Sequence, residues 1–416
     1  MRSRSFLPLL LVLAALGASL WLWQGPKHTP IRIGVIHSLT GVMAESERGL
    51  VDALRLSVEE LNANGGVLGQ PVEMLVADSR SDPSTAANEA RRLIMEERVQ
   101  ALFGCWTSAC RKAVRTVVEE QDGVLFYPLQ HEGLEQSAHI VYLGAAPNQQ
   151  ILPGTRWALD RFGKRAYLIG SDYVFPRIAN LMVRDMVVAA GGTVEAEHYE
   201  PLSATDFTRI AARIRHVRPD FVISTLNGAS NEPFFAALLA VGLGDIPVVS
   251  FSVGEAELQA MASLRSHPAH FAVWGYFQSL PSASNQDFVE SFRARFGHER
   301  VTSDPIETSY NAVRLWARAV EASGTSDPVQ ILNAVGRQGI SAPSGTVAID
   351  AATRHAWRRV YAGHARSDGQ FDIEPISTRI VRPTPFPPYR SRDAWIQRVG
   401  GLSIIRPGPA TPEDLR

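Results

Sequence analysis

The sequence predicts an α/β protein built as two lobes, each a doubly wound parallel sheet with helices on both faces. Three observations carry that expectation. Short apolar runs rich in β-formers alternate with amphipathic helical stretches, the pattern of parallel sheets. The alternation restarts after Pro147-Asn148. A chain of 416 residues also exceeds what one core holds, so two domains are expected.

In order, Ile31–Ile36 reads as a strand, and Leu50, Leu54, Val58 and Leu61 recur at helical spacing until Asn64-Gly65-Gly66 stops the helix. Val72–Ala77 is the next strand, followed by a helix capped near Asp82-Pro83-Ser84. Val99–Phe103 is a strand, Ala109, Ala113, Val114, Val117 and Val118 mark one face of a helix, and Val124–Tyr127 is a strand stopped by Pro128. In the second half Ala166–Ile169, Val194–His198, Phe221–Ser224 and Val248–Phe251 are strands with helices between them. After Trp274 come three helical stretches, Asp287–Phe296, Ile306–Ala322 and Pro328–Val335. Three late strands follow: Gly345–Ile349, Arg358–Gly363 and Gly369–Ile373. From Pro383 onward, repeated prolines work against regular structure.

A formal net charge of −1 gives no electrostatic reason to expect nucleic acid, whose phosphates demand a basic face, so no such partner is expected. Arg2 and Arg4 precede an apolar run from Phe6 to Trp23. A signal peptide cleaved near Ala15-Leu16-Gly17 and a retained anchor with Trp21 and Trp23 at the interface both fit. A retained segment brings membrane contact, and no cysteine is placed for a lipid anchor. Either way, the rest of the chain is expected in the periplasm or on the outer face of the cytoplasmic membrane. Cys105 and Cys110, the two cysteines, are read as buried or semi-buried free thiols, one ending a strand and the other on the next helix, with a disulfide across a tight turn as the alternative.

Gly104–Gln130 holds the richest cluster. Ligands of open parallel sheets bind outside the strand C-terminal ends, where Trp106, Thr107, Ser108, Tyr127 and Gln130 fall. An aromatic, two hydroxyls, a phenol and an amide suit a small, neutral, hydrogen-bonding solute. Helix capping by Thr107 and Ser108, and core packing by Trp106, are the structural alternatives.

The blocks GCWTSACRK, LFYPLQHEGLE, GAAPNQQ, GSDYVFPR, STLNGASN and WGYFQS resemble the urea-binding proteins of ABC importers. They are similar, slightly less closely, to the short-chain amide sensor of the bacterial amidase operon. Both are type I periplasmic binding proteins, and the resemblance spans roughly Ile31 to Gly401. It implies two lobes joined by a multi-strand hinge: 1–26 as signal or anchor, 27–149 and 274–342 as the first lobe, 150–273 and 343–382 as the second, and 383–416 as the tail. His131 departs from the urea-binding pattern, which has Tyr there, and is read as a solvated residue at the cleft edge. The relatives carry a small residue where Cys110 stands, so the resemblance supplies no disulfide.

In the second lobe, Asp172, Tyr173, Asn227 and Glu255 follow strand ends, and Tyr276 lies near the hinge. Tyr173 is expected to close over the ligand. Asp172 also suits a helix N-cap, Asn227 a turn, Glu255 a helix start, and Tyr276 either hinge or pocket lining. No catalytic residue, metal site or cofactor is expected. Cys110 and Lys112, two apart on a helix, do not face one another, and no HxH or HExxH occurs. The expected ligand is urea or a short-chain amide, with a branched-chain amino acid as the alternative. The expected partner is an ABC permease or, for a tethered sensor, a membrane kinase or regulator.

Overall fold

The strand IRIGVIH, Ile31–His37 (β1), is buried at every position but Arg32, as befits a strand covered on both faces. A computed structural model describes residues 29–400. In it β1 pairs in parallel with Val72–Asp78 (β2) on one side and Ala101–Gly104 (β3) on the other. Leu125–Tyr127 (β4) and Ile140–Tyr142 (β5) complete a five-stranded parallel sheet, order β2-β1-β3-β4-β5. Its helices are Ala44–Ala63 (α1), Pro83–Met95 (α2) and Ser108–Glu120 (α3). Asp82 starts α2 by accepting the Thr85 N–H, with Pro83 at the first helical position. Two apolar clusters cover the faces of this sheet, one around Val35, Phe103 and Trp316, the other around Ile36, Leu102 and Tyr127.

Beyond β5 the chain crosses to a second lobe through Ile151–Phe162 (α4). There Arg165–Ser171 (β6), Thr193–Glu200 (β7), Phe221–Thr225 (β8), Val248–Ser250 (β9) and His270–Trp274 (β10) run parallel. Val174–Ala189 (α5), Thr208–Val217 (α6), Asn231–Ala240 (α7), Glu255–Ala260 (α8) and Ala262–Ser266 (α9) connect them. The chain then returns to the first lobe. Ala283–Phe296 (α10) joins one of its clusters, Asp304–Ser323 (α11) contributes to both, and Pro328–Val335 (α12) joins the other.

One expectation is corrected here. Gly345–Ile349 (β12) does not finish the second lobe; with Gly339–Ala342 (β11) and Ala356–Trp357 (β13) it forms a small antiparallel sheet. Val347 and Ile349 pack into the first-lobe core. Tyr361–Ala365 (β14) and Phe371–Pro375 (β15) do join the second sheet, antiparallel, giving the order β15-β14-β10-β9-β8-β6-β7. Helix Arg392–Gly400 (α13) interrupts the proline-rich tail. Its Trp395 is buried against the second lobe and donates Nε1–H to the Pro387 carbonyl (2.9 Å). The choice between signal peptide and anchor concerns residues outside those described. Among the described residues, no helix is long and apolar enough to cross a membrane.

Three crossings join the lobes, and one buried ion pair ties them together. Arg358, in the third crossing, donates Nη1–H to the Leu143 carbonyl (2.9 Å) of the first and to Thr308 Oγ1 (2.8 Å). Its Nη2 donates to Asp304 Oδ2 (2.5 Å), which also accepts the Gly275 N–H (3.0 Å) of the second crossing.

Candidate functional site

The loop between β3 and α3 is built by backbone demands. Gly104 has φ +139, and a Cβ there would lie 2.0 Å from the Ile36 carbonyl oxygen, so only glycine fits. Cys105 follows in the left-handed region (φ 64) and is disulfide-bonded to Cys110, with the Cα atoms 5.6 Å apart. The free-thiol expectation is thereby corrected. The sharp turn out of β3 brings Cys105 back over the first turn of α3, a geometry that strand and helix assignments alone do not reveal.

The bridge brackets Trp106, Thr107 and Ser108. Thr107 caps α3, its Oγ1 accepting the Cys110 N–H (3.1 Å). Trp106 is buried and reaches across the cleft, Nε1–H donating to Asn227 Oδ1 (3.1 Å). Its carbonyl accepts the Tyr127 hydroxyl proton (2.7 Å). Ser108 faces inward: its hydroxyl donates to Glu132 Oε2 (2.5 Å) and accepts from Arg111 Nη1 (2.9 Å), so both functions are engaged within the first lobe.

Arg111, absent from the sequence-based site, organises this interior. Its side chain is fully buried, paired with Glu132 (3.0 Å) and Glu135 (2.9 Å), and its guanidinium lies 4.9 Å from the Tyr127 ring centre. Burial alone would lower its pKa, but the two carboxylates raise it well above the ordinary value. Lys112 and Arg115 also bind Glu135. The cations beneath the loop are thus already matched. Only a full tertiary contact reveals such a network, because α3 and the segment after β4 are not adjacent on one helix face.

Gln130 spans the lobes, Nε2 donating to the Phe251 carbonyl (3.0 Å). Gln150, which sequence reasoning passed over, donates to the same carbonyl (3.2 Å) and to that of Val273 (2.7 Å). The side-chain oxygens of both glutamines, with Ser252 Oγ and Glu255 Oε2, are buried and find no partner among the described residues. The only sequence signal for Gln150 and Ser252 is their position beside the crossing and just past β9. Glu255 Oε1 accepts the Gln278 N–H (2.7 Å), and burial pushes its carboxyl up to about 8, leaving it protonated at neutral pH.

On the second-lobe side, Tyr173 begins α5. Burial drives its phenol well above the ordinary value, with Tyr127 and Glu132 of the first lobe adding to the shift, and its ring packs beside Phe175. Asn227, besides meeting Trp106, donates Nδ2–H to the Thr225 carbonyl (3.1 Å), and its N–H donates to Ser171 Oγ (3.0 Å).

Three expected positions fall elsewhere. Asp172 does not cap α5; its side chain is 44% exposed and pairs with Arg177 (2.7 Å). The Tyr276 hydroxyl sits between Asn285 Oδ1 and Thr302 Oγ1, both at 2.7 Å, packed in a first-lobe cluster. His131 is buried rather than solvated, stacked on Tyr142 (5.0 Å) and beside His355 (5.1 Å). Burial lowers its pKa well below the ordinary value. A surface hollow of about 710 Å³ lies between β7 and α6, lined by His198, Arg209 and Arg213. It opens on a sheet edge, whereas Gln130 and Gln150 converge on the Phe251 carbonyl between the lobes. Among the described residues, no group of three His, Cys, Asp or Glu side chains could hold a metal.

This architecture has known counterparts. The chain is 25% identical over 360 residues to Leu/Ile/Val-binding protein homolog 6 of Brucella abortus, covering 84% of this chain and 91% of that one. A solute-binding protein of an ABC transporter from R. palustris, solved with 4-hydroxybenzoate, is 25% identical with a TM-score of 0.77, over 85% of this chain and 98% of that one. The branched-chain amino acid binding protein LivJ of Streptococcus pneumoniae, solved with isoleucine, matches in fold (20% identity, TM-score 0.73, 85% of this chain and 100% of that one). The sequence profile of the periplasmic binding protein domain matches residues 31–392, and with two parallel-sheet lobes facing each other across a tied hinge, the chain belongs to that family.

Proposed function

We propose that this protein is an extracytoplasmic solute-binding protein that closes over urea or a short-chain amide and hands it to the permease of an ABC importer. The observation that carries the ligand class is the neutral, polar interior between the lobes. Gln130 Oε1, Gln150 Oε1 and Ser252 Oγ are buried acceptors without partners, suited to ligand NH2 groups. The protonated Glu255 carboxyl adds a donor for a carbonyl oxygen. Trp106 and Tyr173 offer flat walls to a planar amide. Arg111, Lys112 and Arg115 are already bound to carboxylates, so they offer a ligand carboxylate no free counter-charge. An unpaired buried amide costs about 2–7 kcal/mol, which makes this matching decisive.

A second reading, a small carboxylate such as leucine or 4-hydroxybenzoate, draws on what the relatives are named for or were solved with. In a third the same closure reports to a membrane-bound regulator instead of a permease. A thermal-shift panel of urea, acetamide, propionamide, leucine and 4-hydroxybenzoate separates the first two. A ligand at 100 times its Kd stabilises the folded state by about 2.7 kcal/mol. Stabilisation by urea or the amides supports the proposal; stabilisation by leucine or 4-hydroxybenzoate alone overturns it.

A further inference from the structure

The geometry points to the Cys105–Cys110 disulfide as the device that positions the recognition loop: it holds Cys105 in a left-handed backbone and so aims Trp106 across the cleft. Cys105 is not glycine, yet has φ 64, directly after Gly104 at φ +139. An L-residue leaves that region readily unless something over-determines it. Cys105 has two restraints, its N–H donating to the Ile36 carbonyl (2.9 Å) and its sulfur bonded to a cysteine on α3. Neither sulfur faces open solvent, since both residues are buried. The enclosed segment is Trp106-Thr107-Ser108-Ala109, so the bridge encircles the one side chain of this loop that bonds the second lobe. A ring this short removes little chain entropy, which suits local positioning better than global stabilisation.

The affinity part of this inference rests on the proposed amide site; the loop-conformation part does not. The test compares the oxidised protein, the protein reduced with a phosphine, and the double variants Cys105→Ala/Cys110→Ala and Cys105→Gly/Cys110→Ala. In the reduction the Sγ–Sγ bond takes up two electrons and two protons to give two thiols, and the phosphine becomes its oxide with oxygen from water. Thiol titration of the native protein should find no free thiol. Calorimetric titration with urea should show Kd rising on the order of tenfold after reduction and in the alanine pair, because the competent loop is less populated. The glycine pair, free to adopt positive φ, should recover part of the loss. Hydrogen exchange over residues 104–112 should speed up on reduction while the rest of the first lobe stays protected, which also shows that the fold is kept. Two titratable thiols in the native protein, or unchanged exchange over 104–112 after reduction, would overturn the inference. So would an unchanged urea Kd. If the oxidised protein binds neither urea nor an amide, the ligand reading fails, and the exchange result still decides the role of the disulfide.

Discussion

A carboxyl with one oxygen on the Gln278 N–H and the other without a partner, both out of water, resists ionisation, and Glu255 is accordingly pushed up to about 8. Its folded pKa lies above the unfolded value of 4.5, so the folded protein holds the proton more tightly. The resulting stabilisation is complete below the unfolded pKa, is lost as pH rises through the window from about 4.5 to about 8, and is gone above it. Within the window this one group contributes a slope of up to about 1.4 kcal/mol per pH unit. Asp304, pushed up to about 6 by burial, steepens the lower part. Guanidinium unfolding of the wild type and Glu255→Gln between pH 5 and pH 8.5 reads this directly. The variant should lose most of the decline between pH 6 and 8, and parallel curves would show that Glu255 does not titrate there. Arg111→Met should destabilise by about 3 kcal/mol, because it removes the fully buried cation shared by Glu132 and Glu135 and leaves them only the partly exposed Lys112 and Arg115. Guanidinium is the denaturant of choice for both, since urea is the proposed ligand.

Helix α3 shows what one element does for the site. Thr107 caps it, the disulfide ties its first turn to β3, and Ser108 and Arg111 anchor it to the segment after β4. Thr107→Ala should remove about 1 kcal/mol of stability, measured by the shift in guanidinium midpoint. This helix also marks how far sequence reasoning reaches. Its apolar face, its flanking strands and the crowding of Trp106, Tyr127 and Gln130 at the strand ends were legible from periodicity and turn chemistry. The inward aim of Ser108, the burial of Arg111 and the closure of the disulfide were not, because each depends on contacts with a segment some twenty residues away or on one left-handed residue. For the same reason Gly345–Ile349 was readable as a strand but not assignable to a lobe: two alternating apolar residues do not say which core they enter. His131 reads as a loop residue in the sequence, whereas Tyr142 of β5 and His355, just before β13, stack around it and bury it.

For the whole molecule, the Arg358–Asp304 pair is the point where the three crossings meet, and periplasmic binding proteins work by hinge motion between lobes. Arg358→Met should destabilise by about 3–5 kcal/mol by leaving Asp304 buried without its counter-charge. Pairing it with Asp304→Asn should restore part of that, and a double variant no better than the single would assign the loss to packing instead. The described lobes are bridged by Trp106–Asn227 and Gln130–Phe251, the contacts expected to open and close with ligand. Isothermal titration calorimetry of the unmodified protein against urea, acetamide, propionamide, leucine and 4-hydroxybenzoate tests the account most directly. Saturable one-to-one heat with urea or a short amide, and none with the two carboxylates, is the predicted result. Saturable heat with leucine or 4-hydroxybenzoate and none with urea or the amides would contradict it.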